Sequence, residues 1–505
     1  MQILFLLIVF LAASPLMAQS ITGSIAGSVE DGTRLPVSGA SVTLTQVATG
    51  ATRSATTSEQ GGFIFSSLQP GQYHIAVQSA GFKTAEKRSL VLSAAETLAA
   101  GSFVLEIGSV TETVSVVAQG STVQTASSER AGVITGSQVN NLLIRNRNIT
   151  SLLQLLPGIV DTSADDRLAR TWQISSQGSR RAANNVWMDG MSLNASNNVN
   201  SVVAISMDAV EEVKVLQSNY QAEYGRMIGA NIQLVTKSGS REFHGLGSYF
   251  KRHEQFNANE FFNNRLGQPK QRYRYNTWNY NIGGPVYIPG KFNRDRNKLF
   301  FFFSQEYWPL KVSRPVGQVT VPTEAERTGD FSQSLDLNRR LIVITDPTTG
   351  APFPGNRIPA ARVDPSGAAL LKVFPVPNFF DLGISAGRYN YIFQSENSTP
   401  QRTETLRVDW NINARNLLFG NFTGYSDIQE GALGIATSGG INWPQLNKRF
   451  STPGRIYIGR YQRIFSPTLV NELNIGFTRR PEFDEAVSDA ELKRNQRDTV
   501  GFRAG

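Results

Sequence analysis

"TLRVDWNINARNLLFGNFTGYS", residues 405–426, decides how the second half of this chain is built. Successive side chains of a strand point to opposite faces, so Leu406, Val408, Trp410 and Ile412 share one face and Arg407, Asp409 and Asn411 the other. "NARN" turns the chain and "LLFGNFTGYS" returns it. "TLVNELNIGFT", residues 468–478, repeats the pattern, with Leu473, Ile475 and Phe477 opposite Glu472, Asn474, Gly476 and Thr478. Segments of about ten residues, apolar outward and polar inward with tight turns, are the signature of a transmembrane β-barrel. Soluble sandwich strands alternate too. Strand length, aromatic density and an exported start favour the barrel, with Tyr249, Phe250, Trp278, Tyr280, Trp308 and Tyr457 as girdle residues. Residues 309–400 interrupt the strands with a Pro- and Gly-rich stretch, expected to be a long extracellular loop.

Upstream, "NNVWMDGMSLNASNN", residues 184–198, places Asp189-Gly190 between alternating apolar segments. Asp-Gly favours a two-residue type I′ hairpin, because both central residues need positive φ. Asn184, Asn185, Asn194, Asn197 and Asn198 surround the small apolar centre of Val186, Met188 and Leu193, and they read as a polar surface. Nearby, "NITSLLQLLPGI" is a short helix capped by Asn148 or Thr150, with Leu152, Leu153, Leu155 and Leu156 as its apolar face and Pro157-Gly158 as its stop. "GANIQLVTKSGS" alternates Ile232 and Leu234 with Asn231 and Gln233, so one face is expected to be packed and the other polar.

Residues 21–106 contain short alternating strands broken at Gly, Pro and Asp, as in a small β-sandwich. "TSEQGGFIF", "LQPGQYHIAV" and "AGFK" resemble the carboxypeptidase regulatory-like domain, a transthyretin-like sandwich. Peptidase chemistry does not follow, because a zinc carboxypeptidase needs two His and a Glu at one metal and this segment has only His74. Residues 107–118 read as a linker with one sticky extended stretch, Glu112 to Ala118. Such a strand can add to a partner's sheet edge. It can equally be the last strand of the sandwich or a stiff linker.

The first 20 residues have an apolar run from Ile3 to Ala13, a break at Ser14-Pro15 and a small residue at Ala18. The run is too short to span a bilayer and suits a signal peptide, residues 1–18, cleaved between Ala18 and Gln19. No later stretch is apolar enough for a transmembrane helix, so any span must be β. The net charge of +9 is spread singly or in pairs, which argues for a basic solvated surface and against nucleic-acid binding. With no cysteine and three histidines, neither disulfides nor thiolate metal sites arise. "GISAG", Gly383 to Gly387, matches a nucleophile elbow literally, but all three histidines precede Ser385 and the strand-turn-helix context is missing. No catalytic group, metal site or cofactor is expected.

Taken in order, "RNITSLLQLLPGI", "NNVWMDGMSLN", "VEEVKVLQSNYQAEYGR", "GANIQLVTKSGSREFHG", "NANEFFNN", "NIGGPV" with "KLFFFFSQEYW", "VPTEAERTGDFS" and "PFPGNRIPAARVDPSGAALLKVFPVPN" resemble the Oar-like group of TonB-dependent outer-membrane receptors. The resemblance implies a mainly β chain: the sandwich, a mixed α/β plug at 119–237, and the first strands of a barrel at 238–505. It places a TonB-box-like strand at Glu112, Thr113, Val114, Ser115, Val116, Val117 and Ala118, and makes Asn184, Asn185, Trp187, Asp189 and Gly190 the plug's signature hairpin. The partners it implies are the TonB-ExbB-ExbD energy-transducing complex, outer-membrane lipid and an extracellular ligand such as a carbohydrate or peptide. The location it implies is the outer membrane of a Gram-negative-type bacterium, with sandwich and box periplasmic. The alternative is a secreted or surface-attached carbohydrate- or protein-binding adhesin without transport. A barrel holding a folded plug has about 22 strands, while the roughly 265 residues after 238, less about 90 for the loop, leave roughly eight per strand. A fragment or truncated product with about six to eight barrel strands is therefore expected.

Overall fold

In a computed structural model, residues 21–502 are described except 110–112, 118–126, 143, 145–146, 162–173, 196–199, 226, 314–315, 395, 432–446 and 467–468. The expected cleavage pair Ala18 and Gln19, the strand ends Glu112 and Ala118, and Asn197 and Asn198 lie outside the described residues.

Seven strands open the chain: β1 Gly23–Asp31, β2 Ser41–Gln46, β3 Thr52–Thr56, β4 Gly62–Leu68, β5 Gly71–Gln78, β6 Thr84–Leu92 and β7 Thr97–Leu105. They form two facing sheets, β4-β1-β7 and β3-β2-β5-β6. Alternate residues turn inward, so Ile25, Val42, Leu44, Phe65, Ile75, Val77 and Leu92 make one core. An eighth strand, β8 Thr113–Val117, adds in parallel to the outer side of β6. Of the readings open for this stretch, the structure thus puts its backbone on the edge of the sandwich.

The α/β unit comprises β9 Arg130–Thr135, a helix Gly136–Asn141, a helix Ile149–Leu153, β10 Ile159–Asp161, β11 Ile174–Ser176, β12 Asn185–Met188, β13 Met191–Ser192, β14 Val210–Ser218 and β15 Asn231–Thr236. Its sheet runs β13-β12-β15-β14-β9. The first helix starts at a capping box between Thr135 and Gln138. The second is capped by Asn148, whose side chain accepts from the Thr150 amide. Leu152 and Leu153 are buried as expected, but Leu155 is 60% exposed, because the helix ends at Leu153 and Leu155 falls in the turn beyond it.

Strand β15 corrects a second expectation. Asn231 and Gln233 are as buried as Ile232 and Leu234. One face of the sheet carries the unit's own core; the other is covered in part by the unit's Tyr224 and Gly225, whose carbonyls take Asn231 and Asn185, and in part by the sandwich. There Ala94 and Ile21 pack on Val235, the Ala94 amide donates to Glu212 Oε1 at 2.9 Å, and Lys214 Nζ donates to the Ala95 carbonyl at 3.3 Å and to Glu129 at 2.8 Å. Burial pushes the Glu212 carboxyl above its ordinary 4.5, against the Ala94 amide and Lys214 pulling it down. A raised folded value means that this group's contribution is present at low pH and lost as pH rises through the shifted value. Docking of sandwich on sheet should therefore weaken from acid toward neutral pH. Glu212→Gln keeps an acceptor for Ala94 and should flatten that dependence, as read by exchange protection of the Ala94 amide corrected for its intrinsic rate.

The remaining sheet is built from β16 His244–His253, β17 Tyr273–Pro285, β18 Leu299–Ser313, β21 Glu396–Asn413, β22 Asn416–Gly431, β24 Gly454–Ser466 and β25 Leu469–Arg479, each antiparallel to the next. Between β18 and β21 lie the paired strands β19 Gly317–Val319 and β20 Tyr391–Phe393, and β23 Lys448–Ser451 pairs with β26 Phe483–Ala486 beside β22. Leu406, Val408, Trp410, Ile412, Leu473, Ile475 and Phe477 face outward, while Thr403, Thr405 and Arg407 are buried inward. Outside, Tyr249 stacks on Trp278, Trp278 meets Tyr307, and Tyr457 lies between Phe422 and Phe477. Two girdle expectations fail on strand phase. Trp308 faces inward and is buried with Tyr275 and Leu310, and Phe250 lies under the Arg147 guanidinium at 4.2 Å. The loop is also narrower than 309–400. β18 and β21 stay paired to Ser313 and Glu396, with Pro309 directly opposite Pro400, so these two end prolines belong to the ladder.

The inward faces of Phe302, Phe419, Tyr425, Ile456 and Ile458 share one core with Val186, Met188, Val213, Val215 and Leu234 of the α/β unit. The unit therefore sits inside the curve of the sheet, with the sandwich at the end of the short connections 286–298 and 414–415. There Gln462 Nε2 donates to the Ser67 carbonyl at 2.8 Å, and the Arg241 amide to the Ala48 carbonyl at 3.0 Å.

Candidate functional site

The Asp189-Gly190 turn has φ of 49° and 88°, as a type I′ hairpin requires, with Met188 opposite Met191 and Trp187 opposite Ser192. What surrounds it differs from the expected polar surface. Asn184 and Asn185 are buried, and they brace the backbone of the unit itself. Asn184 Nδ2 donates to the Ile174 carbonyl at 2.9 Å, and its Oδ1 accepts from the Ala230 amide at 3.0 Å. Asn185 Nδ2 donates to the Gly225 carbonyl at 3.1 Å, and Asn194 joins the Val186 amide to the Asn184 carbonyl. Short amides bonded to main chain satisfy irregular buried backbone that no ladder reaches. Trp187 is buried beside them.

The hairpin tip is where the α/β unit meets the barrel wall. The Asp189 carboxylate accepts from the Thr236 amide at 3.0 Å, the Thr236 hydroxyl at 2.6 Å and Asn421 Nδ2 at 2.8 Å. Arg407 Nη1 lies 3.9 Å from it and donates to the Thr236 carbonyl at 2.6 Å. Arg460 Nη2 donates to the Asp189 carbonyl at 2.7 Å. Asp409 holds Arg407 in a two-bond fork, and both guanidinium groups lie against the Phe419 ring. Strands β21, β22 and β24 thus each contribute one side chain to a single turn.

A second seat lies elsewhere on the wall. Arg147 Nε donates to Glu306 Oε1 of β18 at 2.9 Å, and its Nη2 to Asp208 Oδ2 at 2.6 Å. Glu306 also accepts from the Ser206 hydroxyl, which in turn receives Asn279 Nδ2 at 2.8 Å. All three charged groups are largely or wholly buried. None of Arg147, Asp208, Glu306, Arg407, Arg460 or Asn421 was singled out as functional from sequence. For the wall residues a signal existed: a charged residue at an inward position of a barrel strand faces whatever fills the lumen.

The third element is β8. Thr113, Val114, Ser115, Val116 and Val117 pair with Thr84, Ala85, Glu86, Lys87 and Arg88. Ser385 lies at the end of a four-residue helix capped by Asp381, without the strand-turn-helix setting of a nucleophile elbow. Among the described residues no cluster of His, Asp and Glu is disposed to hold a metal ion.

Comparison with known proteins agrees with this division. Residues 24–106 match the carboxypeptidase regulatory-like domain, residues 121–230 the TonB-dependent receptor plug domain, and residues 235–505 an outer membrane beta barrel domain. The TonB-dependent transporter Oar of Myxococcus xanthus is 26% identical over 244 residues, a match that spans 46% of this chain and 22% of Oar. Among solved structures, the outer membrane transporter YddB from Escherichia coli is 11% identical, with a TM-score of 0.46 over 71% of this chain and 40% of that one. The siderophore receptor PirA from Acinetobacter baumannii is 13% identical, with a TM-score of 0.34 over 70% and 44%. The barrel match covers more than half of the chain and puts it in the outer membrane, against the secreted alternative. The chain belongs to the TonB-dependent outer-membrane receptors, of the Oar-like kind that carries an N-terminal carboxypeptidase regulatory-like domain.

Proposed function

We propose that this chain binds an extracellular ligand with its outward loops and plug apices, and imports it on energy drawn from the inner membrane through the strand Glu112 to Ala118. The observation that carries the reading is how the plug is seated. At two places it is held to the wall by buried charged and hydrogen-bonded groups, around Asp189 and around Arg147, in addition to apolar packing. Directional contacts of this kind hold one geometry and are lost together when a small displacement breaks them. A plug that must stay shut and then move is served by such a seat. The strand supplies the handle: a β-branched segment whose backbone can join another sheet. The partner that takes it would be the TonB protein of the TonB-ExbB-ExbD complex, and the ligand class, carbohydrate or peptide, is not set by any residue of the seat.

A cysteine is otherwise absent from the chain, so Val114→Cys gives a single reporter. In cells that import normally, it is expected to form a disulfide with cysteine-bearing TonB, and the yield is expected to rise when ligand is present. Persistent failure to capture TonB during normal import would remove the strand from this role.

A further inference from the structure

The coupling strand does not hang free. It is the last strand of a five-stranded sheet, β3-β2-β5-β6-β8, with five consecutive parallel pairs from Thr84 with Thr113 to Arg88 with Val117. Its neighbour β6 is a stiff template. Lys87 Nζ crosses the sandwich to the carbonyls of Ala100 and Ser102 at 2.7 and 2.9 Å and lies over the Phe103 ring. The template is itself fixed in place, through Ala94 on Glu212 and Ala95 on Lys214 to the plug, and through Ser67 on Gln462 to the barrel wall. Only one side of β8 is used in this pairing. Among the described residues no strand lies beyond it, and a sheet edge of this kind is a template for another strand.

We infer that the sandwich is a presenting platform: it holds residues 113–117 extended beside the barrel mouth, and the periplasmic partner adds its own edge strand to the outer side of β8 without displacing β6. The inference rests on the functional reading above and gives the N-terminal domain a role within it. An unattached linker would have to be straightened residue by residue when captured. Fixing one residue's backbone weakens binding by roughly tenfold. A strand already laid on β6 has met that cost before the partner arrives. The opposite possibility, that β6 hides the strand until it is released, predicts the reverse response to locking.

Register makes the two separable. Glu86 and Ser115 are direct partners, and neighbouring strands bring paired Cα atoms within disulfide reach. In the full-length receptor, Glu86→Cys with Ser115→Cys would be the only two thiols this chain contributes. Mild oxidation is expected to join them, and the affinity for the purified periplasmic domain of TonB is expected to stay within about twofold of the reduced form. Loss of about tenfold or more on oxidation, recovered on reduction, overturns presentation in favour of concealment. A disulfide that does not form under oxidation overturns the pairing on which the platform depends. No binding in either redox state, with unmutated receptor also unbound, overturns the assignment of the strand itself, a failure distinct from the other two.

Discussion

Replacing Arg147 with alanine is expected to destabilise the seated plug by about 3–5 kcal/mol, the usual loss when one partner of a buried ion pair is removed. The loss has a specific origin. Glu306 is wholly buried and Asp208 nearly so, and without the guanidinium two carboxylates face each other with Ser206, Asn279 and Ser248 as the donors nearby among the described residues. The stacking of Arg147 on Phe250 is lost as well. Arg147→Lys keeps the charge but cannot bridge two carboxylates from one planar fork, so an intermediate loss is expected. Arg147→Met combined with Glu306→Gln and Asp208→Asn removes all three buried charges and should recover a large part of the stability. Chemical unfolding of the plug, followed by protease access to its core at increasing denaturant, measures all four proteins. Similar midpoints for wild type and Arg147→Ala would mean that the triad does not hold the plug.

How much of this was legible depends on whether a residue's partner is near it in sequence. The barrel strands were readable because Leu406 to Ile412 and Leu473 to Phe477 carry their two-residue period locally. The type I′ turn was readable because Asp-Gly is itself the conformational requirement, and so was the Asn148 cap. Strand phase was not readable from composition. Adjacent residues of a strand face opposite sides, so Tyr249 and Phe250 cannot both be girdle residues, nor Tyr307 and Trp308; nothing in either pair says which turns inward. The asparagines misled for a related reason. Alternating polar positions mean solvent only if one face of the strand is open, and β12 and β15 are covered on both: by the plug core on one, and on the other by the plug's own Tyr224–Gly225 segment at Asn185 and Asn231 and the sandwich at Val235. The seat itself was invisible because its members are remote: Arg147 and Glu306 are 159 positions apart, Asp189 and Asn421 232. The position of β8 matches the reading as a last strand of the sandwich, while addition to a partner's sheet edge belongs to the function proposed above.

The hairpin offers the sharper separation of charge from conformation. Asp189 does two things: it holds φ at 49°, and its carboxylate takes three hydrogen bonds beside Arg407. Asp189→Ala loses both functions. It strains the turn, since only Gly, Asn and Asp tolerate that φ readily, and it takes the acceptor from the Thr236 amide and hydroxyl and from Asn421, along with the second carboxylate beside Arg407. The expected loss is about 3 kcal/mol, toward the lower end of the range for a broken buried pair. Two features restrain it. Arg407 keeps its fork to Asp409, and a cavity of about 310 Å³, lined by Arg407, Arg460 and residues of the sandwich, gives water a route to the Arg407 guanidinium. Asp189→Asn keeps the turn and one acceptor oxygen but places a donor amide where three donors already converge, so about half the loss is expected. Asp189→Gly relieves the backbone entirely while removing every carboxylate bond. If Asp189→Gly is as stable as wild type in the same unfolding measurement, the residue serves the turn alone. If it falls with Asp189→Ala, the carboxylate is what joins plug to wall, with Asn421 of β22 and Arg407 of β21 as its counterparts.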